Sequence, residues 1–539
     1  MKLKKGMNSP PTGWYEASLS VGERKRRGHF STPHALVDQI LDACGYTVSA
    51  DLRHLRLLDP ACGSGNFLAQ AAGRLSMSAR FMGLDQEEAA AVVSRNLWGL
   101  DPDPVACCLA EMQVRATLAA TSEACSASLP LHIHQADSLT LPWQPCVDLL
   151  VANPPYLAAK NTDLSHYRQA CQRGQADSYL LFLDLALRIV RPGGWLGLVL
   201  PDPVLARANA ASERARLLRE CTVQQIWHLS GVFAAEVGAV VIIAQKVSPR
   251  SLHRVSWIRD RWRTGSHSAQ TDAAAPEQHV SQTLLARQPG AELRYLLSHE
   301  QGRVVERLRR ALDEQLERPA NATRLIPLAE LVDIKRGEEI GRESSWLGPL
   351  SSLEQGYPVL RGGVDLRPYA RPEADLGIVR SAIKKPIERY LLPKLLVVKS
   401  TGHLQAVLDT RSHVVLQTLY LLHIRKSEQR MDTAYFLLAL LNSRLLRAYV
   451  YHLHTAYKLV QPQIEQAVLA RLPVPWGEVD LRREIAVRAR ELEHACSKTG
   501  SVVEWGEHFP FLYEEQERAI RALYALATPG IFTDKGVVK

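Results

Sequence analysis

The clearest chemistry in this 539-residue chain lies in Asn153-Pro154-Pro155-Tyr156. The tetrapeptide closes the apolar run from Leu149 to Ala152. Its two adjacent prolines remove two backbone donors and hold the chain extended, so neither a helix nor a central strand continues through it. A strand that ends in this way holds one amide and one aromatic ring at a rigid tip.

A glycine pair and several acids stand at other strand ends. LLDPACGSGNFL puts Gly63 and Gly65 directly after a strand and before a helix. There the backbone can approach a ligand and helix N–H groups face an anion. No Gly-Lys-Ser/Thr follows, so the loop is not a P-loop. Asp101, in LWGLDPDP, ends the next convincing strand, where an acid in a doubly wound fold accepts hydrogen bonds from ribose hydroxyls. Asp85, in MGLDQ, competes for that role, but the stronger strand before Asp101 and the helix after it favour Asp101. Asp137, in HQADSL, ends a further strand and is placed to accept from an adenine amino group. Taken singly, each acid reads equally well as a solvated turn residue or a helix N-cap. Together they fall at successive C-terminal strand ends, where open α/β sheets bind their ligands.

These positions require a frame of alternating elements. From Leu36 to about Lys246 the strand-like runs HLRLLDPA, LWGLDPD, LHIHQADSL, VDLLVANPPY, GGWLGLVLP and GAVVIIAQKV are interleaved with helical patterns. That alternation predicts βαβ units and a largely parallel sheet. Continuous apolar strands such as LGLVL suit a sheet covered on both faces. Residues 76–96 read as one or two inserted helices. The stretch 264–282 is polar and aperiodic, an Arg-rich amphipathic helix follows, and beyond Leu325 short strands and Leu-rich helices mark a second, α+β domain. The expected divisions are a basic arm at 1–30, a first domain at 31–263, a linker with a connecting helix at 264–324, and a second domain at 325–539.

Composition bounds the function. A net charge of +9 and a pI near 9.0 suit a polyanionic partner. Residues 1–30 hold seven Lys/Arg against two Glu, which reads as a phosphate-contacting arm or a solvated terminus. No apolar run has the length of a membrane span, and the basic N-terminus lacks the apolar region of a secretory signal. Nine scattered cysteines with no paired framework read as reduced thiols, so a cytoplasmic location is expected.

In their order the motifs resemble the S-adenosylmethionine-dependent DNA N6-adenine methyltransferases. The likeness is to the γ-class, TaqI-like modification methylases of Type II and IIG kind, and it extends over nearly the whole chain. GHFSTPHALVDQILDACG (28–45), with Thr32 and Pro33, is similar to the leading motif that closes over the methionine end of the cofactor. DPACGSGNFL, with Asp59, Pro60, Ala61, Gly63, Gly65 and Asn66, is similar to the cofactor loop, and Asn153-Pro154-Pro155-Tyr156 to the catalytic motif. GVFAAEVGAVVIIAQK resembles the motif whose aromatic residue contacts the target base, here Phe233; read without the resemblance, Phe233 fits a core position nearly as well. The resemblance implies a Rossmann-like class I methyltransferase domain, with a mostly parallel doubly wound sheet, followed by a C-terminal α+β target-recognition domain.

It also implies a reaction: methyl transfer from S-adenosylmethionine to N6 of an adenine flipped out of duplex DNA, without a metal, in a bacterial restriction–modification or related defence system. N6 is a poor nucleophile because its lone pair is delocalised into the ring. The Asn153 side-chain oxygen and the Pro154 carbonyl would accept its hydrogens, with the prolines holding that carbonyl rigid. Tyr156 would stack on the extruded base. The implied partners are double-stranded DNA and a separately encoded restriction nuclease or defence-system subunits.

Neighbouring readings fit less well. The Pro-Cys pair in QPCV (144–147) lies in the wrong place for a C5-cytosine nucleophile. N4-cytosine methylation uses the same geometry, though Ser more often stands where Asn153 does. Protein-glutamine methylation needs no large second domain, RNA methylation shares the amino chemistry, and a non-catalytic DNA-binding module does not require all the motifs. About thirty residues precede the first motif, and no nuclease constellation is found. HIH at 132–134 reads as a strand with alternating faces rather than a metal site. In the second domain Lys335, Arg336, Arg361 and Lys399 lie at loop-like strand ends, where they could reach phosphates or base edges.

Overall fold

The apolar runs form the middle of one nine-stranded sheet. Its strands are β1 (Leu57–Asp59), β2 (Leu97–Asp101), β3 (His132–Gln135), β4 (Val147–Ala152), β5 (Val190–Pro201), β6 (Thr222–Leu229), β7 (Ala239–Gln245), β8 (Arg254–Arg259) and β9 (Glu277–Ser281), in the order β3-β2-β1-β4-β5-β7-β6-β8-β9. The neighbours from β3 to β5 are parallel, β7 runs antiparallel between β5 and β6, β8 is parallel to β6, and β9 is antiparallel to β8. The chain steps outward from β1 through β2 to β3 and then returns to β4 on the other side of β1. This reversal makes the β1/β4 boundary the switch point, outside whose carboxyl ends α/β sheets bind ligands.

The computed structural model describes residues 31–120, 129–157, 164, 167, 177–229, 232, 238–259, 277–298, 300–314, 323–341, 344–353, 356–425, 430–455, 457, 462–499 and 509–532. The basic arm at 1–30 and Phe233 lie outside these residues.

Helices α1 (His34–Ala43), α2 (Asn66–Phe81), α3 (Gln86–Asn96), α4 (Pro104–Ala119), α5 (Ser178–Ile189) and α6 (Ala211–Glu220) accompany the sheet. Leu36, Val37, Ile40 and Leu41 of α1 share one core cluster with Val199, Val241 and Ile243 of the sheet. A Cβ at Gly197 of β5 would lie 2.8 Å from Ile40, so α1 seats on the sheet over a glycine. The inserted segment resolves into the end of α2 and all of α3. Asp85 is the N-cap of α3, in a reciprocal capping box with Glu88, and this accounts for its carboxylate locally. His132 of the HIH strand stacks on Trp98 with ring centroids 3.9 Å apart.

The expected boundary at 263 is displaced. The chain divides into compact units at Met1–Tyr295 and Leu296–Lys539. β9 completes the first sheet, and the buried Gln282 just after it pins this segment there. Its side chain accepts from Val223 N (3.0 Å) and donates to Leu218 O (2.9 Å) and Cys221 O (2.7 Å). The connecting helix, Glu300–Glu314, belongs to the other unit, where Val305, Leu308 and Leu312 enter the core. What reads as a linker is therefore shared between the two bodies.

The second unit is α+β. One four-stranded sheet has the order β11 (Val332–Arg336), β18 (Leu419–Ile424), β15 (Lys394–Val398), β16 (Ala406–Asp409). Another has the order β12 (Leu347–Pro349), β14 (Leu376–Val379), β13 (Gly356–Leu360), β17 (Val414–Val415), and β10 (Arg324–Pro327) pairs with β19 (Pro473–Trp476). The Leu-rich helices Arg430–Asn442 and Arg444–Val450 are core elements. Among the described residues no helix is long and apolar enough to cross a membrane.

Candidate active site

β1 delivers Asp59 to the switch point, and the glycine loop turns directly after it. Gly63 (φ 52°) and Gly65 (φ 94°) both take left-handed backbone, which any side chain would strain. A Cβ on Gly65 would also lie 2.6 Å from the Cα of Ala110, so α2 meets α4 only across a glycine. β2 delivers Asp101, whose Oδ2 accepts from Gly63 N (3.0 Å) and Oδ1 from Asp103 N (2.9 Å). That bond ties the loop after β1 to the end of β2. Asp137 follows β3; Leu139 N donates to its Oδ1 (3.0 Å), and the Tyr167 hydroxyl donates to its Oδ2.

β4 ends at Ala152, so Asn153 is the first residue past the sheet. Its Nδ2 donates to Thr32 Oγ1 (3.1 Å), across 121 residues of sequence. Thr32 is itself held: its carbonyl accepts from Asn66 Nδ2 (2.8 Å), which also donates to Ser31 Oγ (2.8 Å). Gln113 of α4 closes the chain of bonds, donating to Asn66 Oδ1 (3.2 Å) and to Ser64 O (2.6 Å). The leading segment, the glycine loop and the Asn153 amide thus form one network.

A single cavity at these strand ends is lined by Asp59, Asp101, Asp137 and Asn153, with Thr32, Pro60, Ala61, Gly63, Asn66 and Pro155 between them. Phe67, Leu139 and Phe182 supply apolar wall. Pro33, Gly65, Pro154 and Tyr156 stand outside that lining. Pro33 begins α1 by accepting from Leu36 N and Val37 N, Pro154 is buried, and Tyr156 is half-buried with its hydroxyl oxygen enclosed.

Electrostatics at the cavity floor are unusual. Burial pushes the Asp59 carboxyl up to about 8; the nearby Asp101 charge adds to this, and the Ala61 N–H, donating at 3.1 Å, opposes it. Such a strongly perturbed carboxyl in a cleft is characteristic of functional sites.

Residues 14–284, just over half of the chain, match the N-6 DNA Methylase family. The chain belongs to that family. Residues 365–474 of the chain match the TaqI-like C-terminal specificity domain. The chain is 30% identical to the Type II methyltransferase M.PaeR7I of Pseudomonas aeruginosa over 202 residues, which is 35% of this chain and 34% of that protein. It is 30% identical to the Type II methyltransferase M.XhoI of Xanthomonas vasicola over 184 residues, 33% of this chain and 34% of that one. The match thus spans about a third of the length of these curated relatives. In fold it is similar to the Type IIL restriction-modification enzyme MmeI in complex with DNA, with a TM-score of 0.61 at 12% identity, covering 96% of this chain and 79% of that one. The DrdV–DNA complex gives a TM-score of 0.50 at 13% identity, covering 91% and 59%.

In the second unit the four expected cations separate. Lys335 and Arg336 are exposed on β11, and neither they nor Lys399 takes part in an ion pair among the described residues. Burial and the neighbouring Arg336 pull the Lys399 ammonium down, which places these two cations close together. Arg361 is held differently. Its guanidinium is clamped on both oxygens of Asp365 (2.7 and 3.0 Å) and on Asp375 (2.9 Å), so the charge is spent inside the domain. The adjacent glycines serve the fold as well. A Cβ on Gly362 would lie 2.6 Å from Thr418 O, and Gly363 has a φ of 77°.

Sequence reading missed Ser31, Gln113, Tyr167, Ser178 and Phe182. Gln113 left a trace: it interrupts the small apolar stripe of Ala106, Ala110 and Val114 on α4. Ser178 sits beside an acid before an apolar helix and reads as an ordinary cap.

Proposed function

We propose that this chain transfers the methyl group of S-adenosylmethionine to N6 of an adenine flipped out of duplex DNA. It would act as the site-specific modification activity of a restriction–modification or related defence system, with a separately made nuclease as partner. The observation that carries the reading is Asn153, held by Thr32 in a Pro-Pro turn, lining the same cavity as Asp59, Asp101 and Asp137.

The residues present fit this cofactor. Three carboxylates suit an ammonium, a ribose diol and a purine amino group, and Phe67, Leu139 and Phe182 suit the flat faces of a base. Asp101 lies at the cavity edge, its carboxylate fixed by N–H donors from Gly63 and Asp103, where a ribose diol would reach it. When bound, the sulfonium supplies an activated methyl whose transfer leaves a neutral thioether. The chain's own groups do the rest. Asn153 and the Pro154 carbonyl accept the two N6 hydrogens and favour a pyramidal nitrogen whose lone pair can attack. Tyr156 stacks on the base, and the proton lost from N6 leaves to water.

Incubation with labelled S-adenosylmethionine and unmethylated mixed-sequence DNA tests the reading. Label is expected in N6-methyladenine; label on cytosine, RNA or protein alone would sink it.

Asp59 makes cofactor binding depend on pH. Burial keeps its carboxyl neutral until about pH 8, whereas a bound cation favours the carboxylate. Binding should therefore release a proton, and affinity should rise by up to about tenfold per pH unit between roughly pH 6 and 8. Calorimetry in buffers of different ionisation heat measures that proton. Asp59→Asn should remove it, apart from the cofactor's own amino titration.

In the specificity unit Lys335, Arg336 and Lys399 are assigned to the DNA backbone. Lys335→Ala should weaken binding alike on every DNA sequence and reduce the slope of log K against log salt by about one. A sequence-selective loss with an unchanged slope would instead make Lys335 a base reader.

A further inference from the structure

The turn that carries Asn153 cannot hold itself. β4 stops at Ala152, and Pro154 and Pro155 contribute no N–H, so two rungs that could fix the turn by backbone pairing do not exist. Proline rings restrict φ but leave open how the turn as a whole is directed.

One side chain supplies the missing bonds. The Ser178 hydroxyl donates to Pro155 O and accepts from Leu157 N (2.8 Å), and Ser178 N in turn donates to Leu157 O (2.9 Å). A single residue thus makes three bonds to the two ends of Pro155–Leu157. Ser178 is only 3% exposed and opens α5, a helix buried over most of its length. The residue before it, Asp177, is paired with Arg207 at 3.0 Å. The clip is therefore mounted on a rigid element.

We propose that Ser178 is a positioning residue for methyl transfer: it aims the Pro154 carbonyl and the Asn153 amide by fixing the turn from its far side. It rests on the assignment of those two groups as acceptors for the adenine amino hydrogens. The two proline peptide units are stiff, so tethering Pro155 O sets the direction of the carbonyl one residue earlier. Thr32 holds Asn153 from the near side. An acceptor displaced by a fraction of an ångström loses the transition-state bond while the cofactor cavity persists.

The test uses the full chain with Ser178→Ala and Ser178→Cys, the latter nearly isosteric but a feeble donor. Single-turnover methylation of unmethylated DNA should fall by about 10²-fold in Ser178→Ala and by less in Ser178→Cys. Affinity for S-adenosylmethionine should stay within about threefold, giving a loss in rate without a loss in binding. Hydrogen exchange adds a readout that needs no activity: protection of the Leu157 amide should drop by about tenfold or more in Ser178→Ala. If Ser178→Ala fails to fold, Ser178→Cys carries the same comparisons. A rate within about threefold of the parent, a rate loss matched by lost cofactor affinity, or unchanged exchange at Leu157 each overturns the proposal. Should the parent methylate no DNA, the functional reading fails by itself, and the exchange result still decides whether Ser178 holds the turn.

Discussion

Asn153→Ala should stop methyl transfer, with kcat lower by about 10³-fold or more, while S-adenosylmethionine still binds within about threefold. The side chain lies beyond the last residue of β4, so its removal takes no rung from the sheet and no apolar contact from the core. What disappears is an oriented acceptor, together with the partner of Thr32 Oγ1. Acceptors and donors aimed at a developing charge act mainly on the transition state, and loss of one such group costs about 10²–10³ in kcat. The larger figure applies because Thr32 loses its partner in the same stroke. Asn153→Asp keeps acceptor oxygens in place and should retain more activity than Asn153→Ala. Single-turnover rates with calorimetric binding would check both, and a rate for Asn153→Ala within tenfold of the parent would remove Asn153 from the mechanism.

The second large effect concerns the second unit rather than the chemistry. Lys394, at the start of β15, is fully buried and donates to Asp409 Oδ2 and to Tyr390 O, both at 2.7 Å. His413 bonds the other Asp409 oxygen at 2.9 Å. Burial alone would raise the Asp409 carboxyl, but bonds from His413 and Lys394 hold it down at about 2. Lys394→Met leaves that carboxylate buried with its main countercharge gone, and breaking such a pair costs about 3–5 kcal/mol. The expected result is a lowered unfolding midpoint for the Leu296–Lys539 unit, with S-adenosylmethionine affinity preserved in the other unit. The pH dependence has a definite sign. Because the folded-state pKa is depressed, the Asp409 contribution is present above about pH 4 and is lost as pH falls towards 2. Lys394→Met should flatten that acid limb, and a midpoint unchanged at pH 7 would show the pair to be dispensable.

Sheet and motif order were readable from the chain because their causes are local. Apolar runs such as LGLVL, glycines between strand and helix, and a Pro-Pro stop each impose backbone geometry on their own few residues. β6 was missed because it carries Gln225 and His228 among its apolar residues, and only its place between β7 and β8 makes TVQQIWHL a strand. β9 was missed because its sequence, EQHVS, is polar; pairing with β8 and the Gln282 anchor define it.

Charged and polar side chains divide along the same line. The sequence by itself determined the family resemblance, the alternating frame and the residue types at the ends of β1, β2, β3 and β4. Only the tertiary structure decided how each side chain is spent: Asp85 on a helix cap, Arg361 on two aspartates, Asn153 on Thr32, and Ser178 on the turn after Asn153. A strand or a glycine turn is set by neighbours in the chain, whereas a hydrogen bond or an ion pair is set by whichever group packing brings within about 3 Å, often from far away in sequence.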